Sequence, residues 1–430
     1  MTHVPESPFF PTASRPGSPM RLSVAAISAV AVGAIVLTTV QTGSVATAGG
    51  QPGVGQGPVG AYACRQYLEN PDDSHLPPEA TKWRVHSGTV AEAPNGDMLY
   101  AFYGGRTEGS PDQSLYLSRM PKGESTWSKP ELLFSEPDHA DGNPVLMTDG
   151  DAVHLFFVTV FGRGWEQASI RQITSDDSGT TWSEPSFIRE EWGWMTGTRA
   201  FRMSNGEVLL PVYDEGASSS GFMIADPDME NWQSFPKRHR DWLRAPNGAI
   251  QPSVTEVDPG HLIAYMRTSD DDIFRSQSTD YGRTWSAPER TELGNPNSRV
   301  ALLNLDSDHL VVAYNPWTEH RSPMRMSSTA NEEKTWTPPW SFTVDVENQD
   351  GPQFTYPYLT QADDGMVHMA YTANRDRMAE VVFNEEYLQS GVSMLSQNGY
   401  GEGWGATEYR DGQVRPVDSC SYGMGEGTPR

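Results

Sequence analysis

Ser175-Asp176-Asp177-Ser178-Gly179-Thr180-Thr181-Trp182 and Ser278-Thr279-Asp280-Tyr281-Gly282-Arg283-Thr284-Trp285 spell one phrase, S-x-D-x-G-x-T-W, twice in the chain. Around them a simpler marker, a tight polar turn between two apolar stretches, recurs at steps of roughly fifty residues. The turns centre on Gly96, Gly150, Gly206, Gly260, Asp308 and Gly365. Asn-Gly and Asp-Gly between apolar runs favour hairpins, because both central residues can take positive φ. A tryptophan follows each of the first five turns: Trp127, Trp182, Trp232, Trp285 and Trp336. Each unit therefore reads strand, hairpin, strand, then a Ser/Asp/Gly/Trp turn between two further strands. A unit of that kind cannot bury its own apolar face and must stack on its neighbours. The prediction is all-β: a six-bladed β-propeller of four-stranded antiparallel blades, with seven blades the alternative count. The sixth unit lacks a matching Trp, which predicts a blade completed by a strand from the other terminus.

The Ser/Asp phrase marks the fold and is not itself a site. Asp177 or Asp280 can accept bonds from the N–H groups of its own turn, Gly179 or Gly282 supplies an unusual φ, and the Trp packs between blades.

The ends bound the rest. Arg21 precedes an apolar run from Leu22 to Val40, and Ala46-Thr47-Ala48 follows as a small-x-small cleavage pattern. Residues 1–48 read as a signal peptide, with a retained membrane anchor as the alternative. Residues 49–80 read as linker and N-terminal segment, 81–390 as the propeller and 391–430 as a Gly-rich tail. A secreted or extracytoplasmic monomer is expected, with no stable membrane span once the signal is cleaved. The only cysteines, Cys64 and Cys420, sit near the ends of the mature chain. They are candidates for one bridge across the closing seam, and two unpaired thiols are the alternative. The 430 residues carry 56 acidic against 31 basic side chains, a net charge of −25, which argues against a nucleic-acid partner. Asp270-Asp271-Asp272 lacks an oxygen-ligand pattern and reads as a solvated turn. No metal site or cofactor is expected, since no Cys/His spacing, P-loop or dinucleotide fingerprint is present.

A propeller places its ligands at one mouth of the central channel, on loops and inner-strand ends. His86, Asp112, His139, Asn143, Arg199, Gln251, Arg267, Asn297, Arg321 and Tyr356 all fall at such positions. Arg267 stands out because it ends the apolar run Leu262 to Met266, where an unpaired charge is costly.

The S-x-D-x-G-x-T-W turns resemble the Asp boxes of the sialidase superfamily, in its bacterial BNR-repeat branch. Further matching phrases are Phe102-Tyr103-Gly104-Gly105, Gly142-Asn143-Pro144-Val145-Leu146, Leu210-Pro211-Val212-Tyr213-Asp214-Glu215, Gln251-Pro252-Ser253, Asn295-Pro296-Asn297-Ser298 and Tyr356-Pro357. The resemblance runs from about Arg84 to Phe383. It implies a glycosidase in which arginines hold a substrate carboxylate, a tyrosine is the nucleophile and an aspartate the acid/base. Carried over, Asp112 becomes the acid/base, Tyr356 the nucleophile, Arg267 the second arginine and Arg321 the third, with Arg325 competing. Two positions depart from the pattern. His86 stands where the first arginine is expected, and Gln251 stands where a glutamate would activate the tyrosine. A glutamine cannot take that proton. Glu215, from the neighbouring blade, is the candidate replacement.

The resemblance implies an exo-α-sialidase-like hydrolase acting on terminal acidic sugars of glycans. Two other readings stay open. One is a uronate-directed polysaccharide lyase or rhamnose–glucuronate-cleaving enzyme using His86 and Tyr356 with Arg267. The other is a glycan-binding propeller without catalysis. The expected partner in each case is a glycan or acidic polysaccharide. A carboxylate within reach of Tyr356 favours hydrolysis; His86 and Tyr356 facing each other across a cleft favour the lyase.

Overall fold

A computed structural model describes residues 61–77, 82–330, 336, 342–345, 353–390, 406–410 and 413–417. Six antiparallel sheets form a ring, the expected six-bladed propeller. Blade I comprises Arg84–Glu92, Met98–Gly105, Ser114–Met120 and Glu131–Phe134. Blade II comprises Ala140–Asp149, Ala152–Val160, Ala168–Ser175 and Ser186–Arg189. In blade III the inner strand is split into Trp194–Met195 and Phe201–Arg202, followed by Val208–Asp214, Ser219–Ala225 and Trp232–Phe235. Blade IV comprises Ala249–Asp258, His261–Thr268, Asp272–Ser278 and Glu289–Gly294. Blade V comprises Ala301–Asn304, Leu310–Tyr314, Met324–Thr329 and Phe342–Asp345.

Blade VI runs Phe354–Gln361, Val367–Ala373 and Arg377–Phe383, and its fourth strand is Ala61–Tyr67 from the N-terminal side. That strand pairs antiparallel with Arg377–Phe383, Cys64 opposite Val382. The hairpin Ala406–Arg410 and Gln413–Val417 adds to its outer edge. Propeller strands thus lie on both sides of the 81–390 span. Cys64 is fully buried and disulfide-bonded; its expected partner Cys420, like the signal segment, lies outside the described residues. Among the described residues no helix is long and apolar enough to cross a membrane.

The repeat phrase folds as its chemistry dictates. Ser175 Oγ accepts the Gly179 N–H at 2.7 Å and donates to Asp177 at 2.8 Å, while Asp177 takes the Thr181 N–H at 2.7 Å and its hydroxyl at 2.6 Å. Asp280 repeats this with Thr284 at 2.8 and 2.6 Å. The tryptophans join each blade to the one before. Trp285 of blade IV stacks on Phe222 of blade III at 4.1 Å. Trp232 of blade III meets Phe156 of blade II at 5.7 Å, and Trp336 meets Tyr265 of blade IV at 6.1 Å.

Trp127 closes the ring differently. Its indole N–H donates at 2.7 Å to Glu380 of blade VI, a carboxylate with no solvent exposure. Gln66 of the N-terminal strand donates to the same carboxylate at 2.7 Å, and His368 Nδ1 lies 2.8 Å from its other oxygen. A carboxylate only accepts, so the histidine proton sits on Nδ1. Removing Glu380 strands one buried donor, His368, and two half-buried ones, Gln66 and Trp127, at the seam. Glu380→Ala is expected to cost about 3–5 kcal/mol of stability, read from urea unfolding; a loss under about 1 kcal/mol would show that the seam is held elsewhere.

One irregularity positions the site. Every inner strand is interrupted or, in blade V, preceded by a residue of positive φ: Ser87 (55°), Asn143 (48°), Gly197 (144°), Gln251 (53°), Asn297 (54°) and Tyr356 (60°). In blades I, II, IV and VI the pairing register shifts at this point. Such bulges re-aim side chains, here toward the central axis. For a glutamine or a tyrosine the conformation costs on the order of 1–3 kcal/mol, the kind of strain that collects at functional sites.

Candidate active site

At this end of the channel a cavity of about 190 Å³ is lined by Tyr103, Glu108, Asn143, Trp165, Met195, Tyr213, Glu215, Ile250, Gln251, Arg267, Arg321, Tyr356 and Arg375. Its volume corresponds to about six waters of liquid, the scale of one sugar ring rather than a length of polymer.

Tyr356 forms its floor. The phenol oxygen receives Gln251 Nε2 at 3.3 Å and an Arg267 terminal nitrogen at 3.2 Å. The same Arg267 nitrogen donates to Gln251 Oε1 at 3.0 Å, and Arg267 Nε donates to Asn297 Oδ1 at 2.6 Å. A guanidinium can only donate, so Arg267 fixes which end of the Gln251 amide faces it. The amide N–H₂ is thereby turned onto Tyr356 and, at 3.3 Å, onto Tyr213.

Arg299 lies beneath. It has no solvent exposure and, among the described residues, is the largest side chain so buried. Its guanidinium carbon stands 4.1 Å from the centre of the Tyr356 ring. It donates to Ser87 Oγ at 2.8 Å and to Asn143 Oδ1 at 3.2 Å, which turns the Asn143 amide N–H₂ onto Tyr213 at 3.3 Å. A Cβ at Gly197 would collide with this guanidinium, so the third blade contributes a glycine to the ring of six where the others carry side chains.

Burial pushes the Tyr356 phenol up, but Arg267 and Arg299 together outweigh it and hold the group below the usual tyrosine value. Tyr213, buried with Glu215 close by, moves upward instead. Glu215 is raised above the usual carboxyl range by burial, against the pull of Arg267, and its carboxyl has no hydrogen-bond or ion-pair partner among the described residues. Glu108 is ion-paired to Arg375 and accepts the Tyr103 hydroxyl at 3.3 Å. Arg321 donates to the Asn297 carbonyl at 2.6 Å.

Of the residues singled out in the sequence, Tyr356, Gln251, Arg267, Arg321, Asn143 and Glu215 converge on this cavity. Glu215 makes no hydrogen bond to Tyr356. Five others are placed elsewhere. Asp112 turns back into its own loop, accepting the Arg106 N–H at 2.8 Å and pairing with the Arg106 guanidinium at 3.2 Å; Glu108 from the same loop reaches the cavity instead. His139 packs on Phe161 at 5.0 Å, outside the lining. Arg199 belongs to the opposite mouth, where a cavity of about 560 Å³ also carries Glu92, Asp151 and Asp363. Those three acids stand there against two arginines, Arg199 and Arg202. Arg199 follows the Gly197 bulge by two residues, and at about 3.3 Å per residue this carries it about 7 Å along the strand toward that mouth.

His86 is 2% exposed and lies behind Tyr356, the ring centres 3.9 Å apart. Its Nδ1 is 2.8 Å from Thr372 Oγ1. Burial and then Arg375, Arg299, Arg321 and Arg267 hold it well below the usual histidine range, hence neutral. No sugar fits between two rings in contact, so the facing pair required of a lyase is absent. Arg325 lies over Trp317 at 5.3 Å and is not part of the lining; of the two, Arg321 is the one at the cavity.

Sequence reasoning did not single out Arg299, Arg375, Glu108 or Tyr213. A signal existed for Arg299: like Arg267 it borders an apolar strand, Val300 to Leu303, and it directly follows Asn297-Ser298.

Comparison with known proteins agrees with this fold. The BNR repeat-like domain family matches residues 96–369. A sialidase of Bacteroides fragilis (strain YCH46) is 24% identical over 60% of this chain and 54% of its own length. The anhydrosialidase of Macrobdella decora is 24% identical over 52% of this chain and 32% of its own. The chain thus spans about half or less of the curated relatives it matches. Among solved structures, the Hadza microbial sialidase Hz136 superposes with a TM-score of 0.60 at 19% identity, covering 72% of this chain and 66% of that one. The intramolecular trans-sialidase of Ruminococcus gnavus gives 0.57 at 16% identity, covering 72% and 96%. At these identities the structural likeness concerns the fold.

Proposed function

The chain belongs to the BNR repeat-like family of the sialidase superfamily, and from that premise we propose that it is an exported exo-acting glycoside hydrolase that releases a terminal carboxylate-bearing sugar from glycans. The observation that carries this reading is Tyr356, set beneath a one-sugar cavity with its oxygen against Arg267, while Arg321 and Arg375 line the same walls. Guanidiniums bind a carboxylate through paired N–H groups. With the carboxylate held there, the anomeric carbon meets the phenol oxygen. Attack by that oxygen breaks the glycosidic C–O bond, and a carboxyl group must give a proton to the departing oxygen. Glu215 is suited to this, because burial keeps it protonated to higher pH than an ordinary glutamate. Water then cleaves the tyrosyl glycoside, Glu215 taking its proton, and the configuration is retained. The names of the curated relatives point to sialic acid as the sugar.

The test is incubation of the purified protein with a fluorogenic α-sialoside and, in parallel, with uronate-containing polysaccharides, following fluorescence and the absorbance of unsaturated product. Sialoside turnover is expected. Unsaturated product without it would overturn the reading in favour of elimination; silence in both, with retained binding of acidic glycans, would make the protein a lectin.

A further inference from the structure

Arg299 is a full charge in the interior with no acidic partner among the described residues. Its hydrogen bonds go to neutral Ser87 and Asn143, and its Nε makes none. A buried unpaired charge is among the costliest features a fold can hold, yet the chain makes specific room for it. Gly197 is the residue of the ring of six that a side chain there would force out of contact with it. The group that Arg299 does face is the Tyr356 ring.

The phenol oxygen is equally unusual. It accepts from Gln251 and Arg267, and no acceptor for its own proton stands within hydrogen-bond distance among the described residues. Two donors and no acceptor suit an oxygen that carries no proton. Gln251 occupies the place where a proton-accepting carboxylate was expected, and Arg267 has turned the donor end of its amide toward the phenol.

We propose that Arg299 is a positioning residue that does the work of the missing carboxylate by electrostatics: its fixed charge makes Tyr356 its counter-ion, so that the nucleophile is stored as a phenolate before substrate arrives. The proton goes to solvent in the free protein rather than to a neighbouring base during attack. This rests on the reading of Tyr356 as the nucleophile. The charged and titratable groups around it fit. Four guanidiniums, Arg267, Arg299, Arg321 and Arg375, stand against two carboxyls, Glu108 and Glu215, with His86 neutral and Tyr103 and Tyr213 shifted upward. With Glu215 protonated, Glu108, the phenolate and one substrate carboxylate leave that set a single positive charge in excess. The same charge makes the phenolate a better leaving group when the tyrosyl glycoside is hydrolysed.

The experiment is a near-ultraviolet tyrosinate titration of the full chain, wild type against Tyr356→Phe, which needs no substrate. One tyrosine is expected to ionise below the ordinary value of about 10, and to vanish in Tyr356→Phe. In Arg299→Met that transition is expected to rise by about 1–3 units, and Arg299→Lys, which restores the charge, to bring it part of the way back. If the wild-type and Tyr356→Phe curves coincide below pH 9 or so, Tyr356 is protonated and the proposal falls, whatever the protein hydrolyses. If the transition is present but unmoved in a folded Arg299→Met, Arg299 is not its cause. A low tyrosine transition without sialoside turnover would leave this proposal standing and remove the proposed function instead.

Discussion

Tyr356→Phe is expected to abolish sialoside turnover, by on the order of 10³-fold or more in kcat, because the substitution deletes the one oxygen that forms the covalent bond. The ring itself stays. Its contact with His86 at 3.9 Å and its place over Arg299 at 4.1 Å do not involve the hydroxyl. Binding of a non-hydrolysable acidic sugar is therefore expected to persist, carried by Arg267, Arg321 and Arg375. Arg299 loses its counter-ion, however, so stability is expected to fall modestly rather than rise. Steady-state kinetics, calorimetric binding and thermal unfolding of this one variant separate the roles. Turnover within tenfold of wild type would rule out Tyr356 as nucleophile and leave direct attack by water.

Glu215→Gln carries the second large effect. On an unactivated glycan the leaving oxygen needs a proton, and losing the donor is expected to lower kcat by about 10²–10⁴-fold. On a fluorogenic substrate, whose phenolic leaving group departs without help, the loss is expected to be much smaller. The pH profile adds a sign. The working form has Glu215 protonated and Tyr356 ionised. Wild-type turnover must decline at high pH, because Glu215 has given up its proton there. The Gln variant has no proton to lose, so the decline disappears and the rate follows Tyr356 ionisation upward to a plateau. Burial, opposed by Arg267, is what places the Glu215 transition above the ordinary carboxyl range. Equal losses on both substrates would assign Glu215 to positioning, and Glu108 would become the donor to test.

How the site residues distribute shows what kind of information each needed. Tyr356, Gln251 and Asn143 stand out because each precedes a proline in a short phrase and opens an inner strand. That is local information. Arg267 stands out because a charge ends an apolar run. Arg299 satisfies the same rule, but nothing local tells a strand-edge arginine that faces solvent from one that faces the axis. Asp112 and Glu108 are four residues apart in one loop. Which of them reaches the cavity depends on Arg106, whose backbone and guanidinium draw Asp112 inward, while Arg375 from blade VI draws Glu108 out to the cavity. Arg375 is remote in sequence and adjacent in space. Arg199 and His86 fail for a different reason, depth. Arg199, two positions past the bulge, lines the other mouth, and His86, one position before it, lies behind the floor instead of in the cavity.

The amino-acid sequence by itself determined the repeat, the six blades, their hairpins and Asp-box turns, the tryptophans between blades and the borrowed strand that completes the last one. All but the borrowed strand, which the missing sixth tryptophan signals, depend on residues within a few positions of one another, where turn chemistry and two-residue alternation act directly. Only the tertiary structure decided that Arg299 lies under Tyr356, that Arg267 turns the Gln251 amide donor-first onto the phenol, and that Arg321, Arg375 and Glu215 share one cavity. Those residues come from four different blades, and their distances are set by closure of the ring.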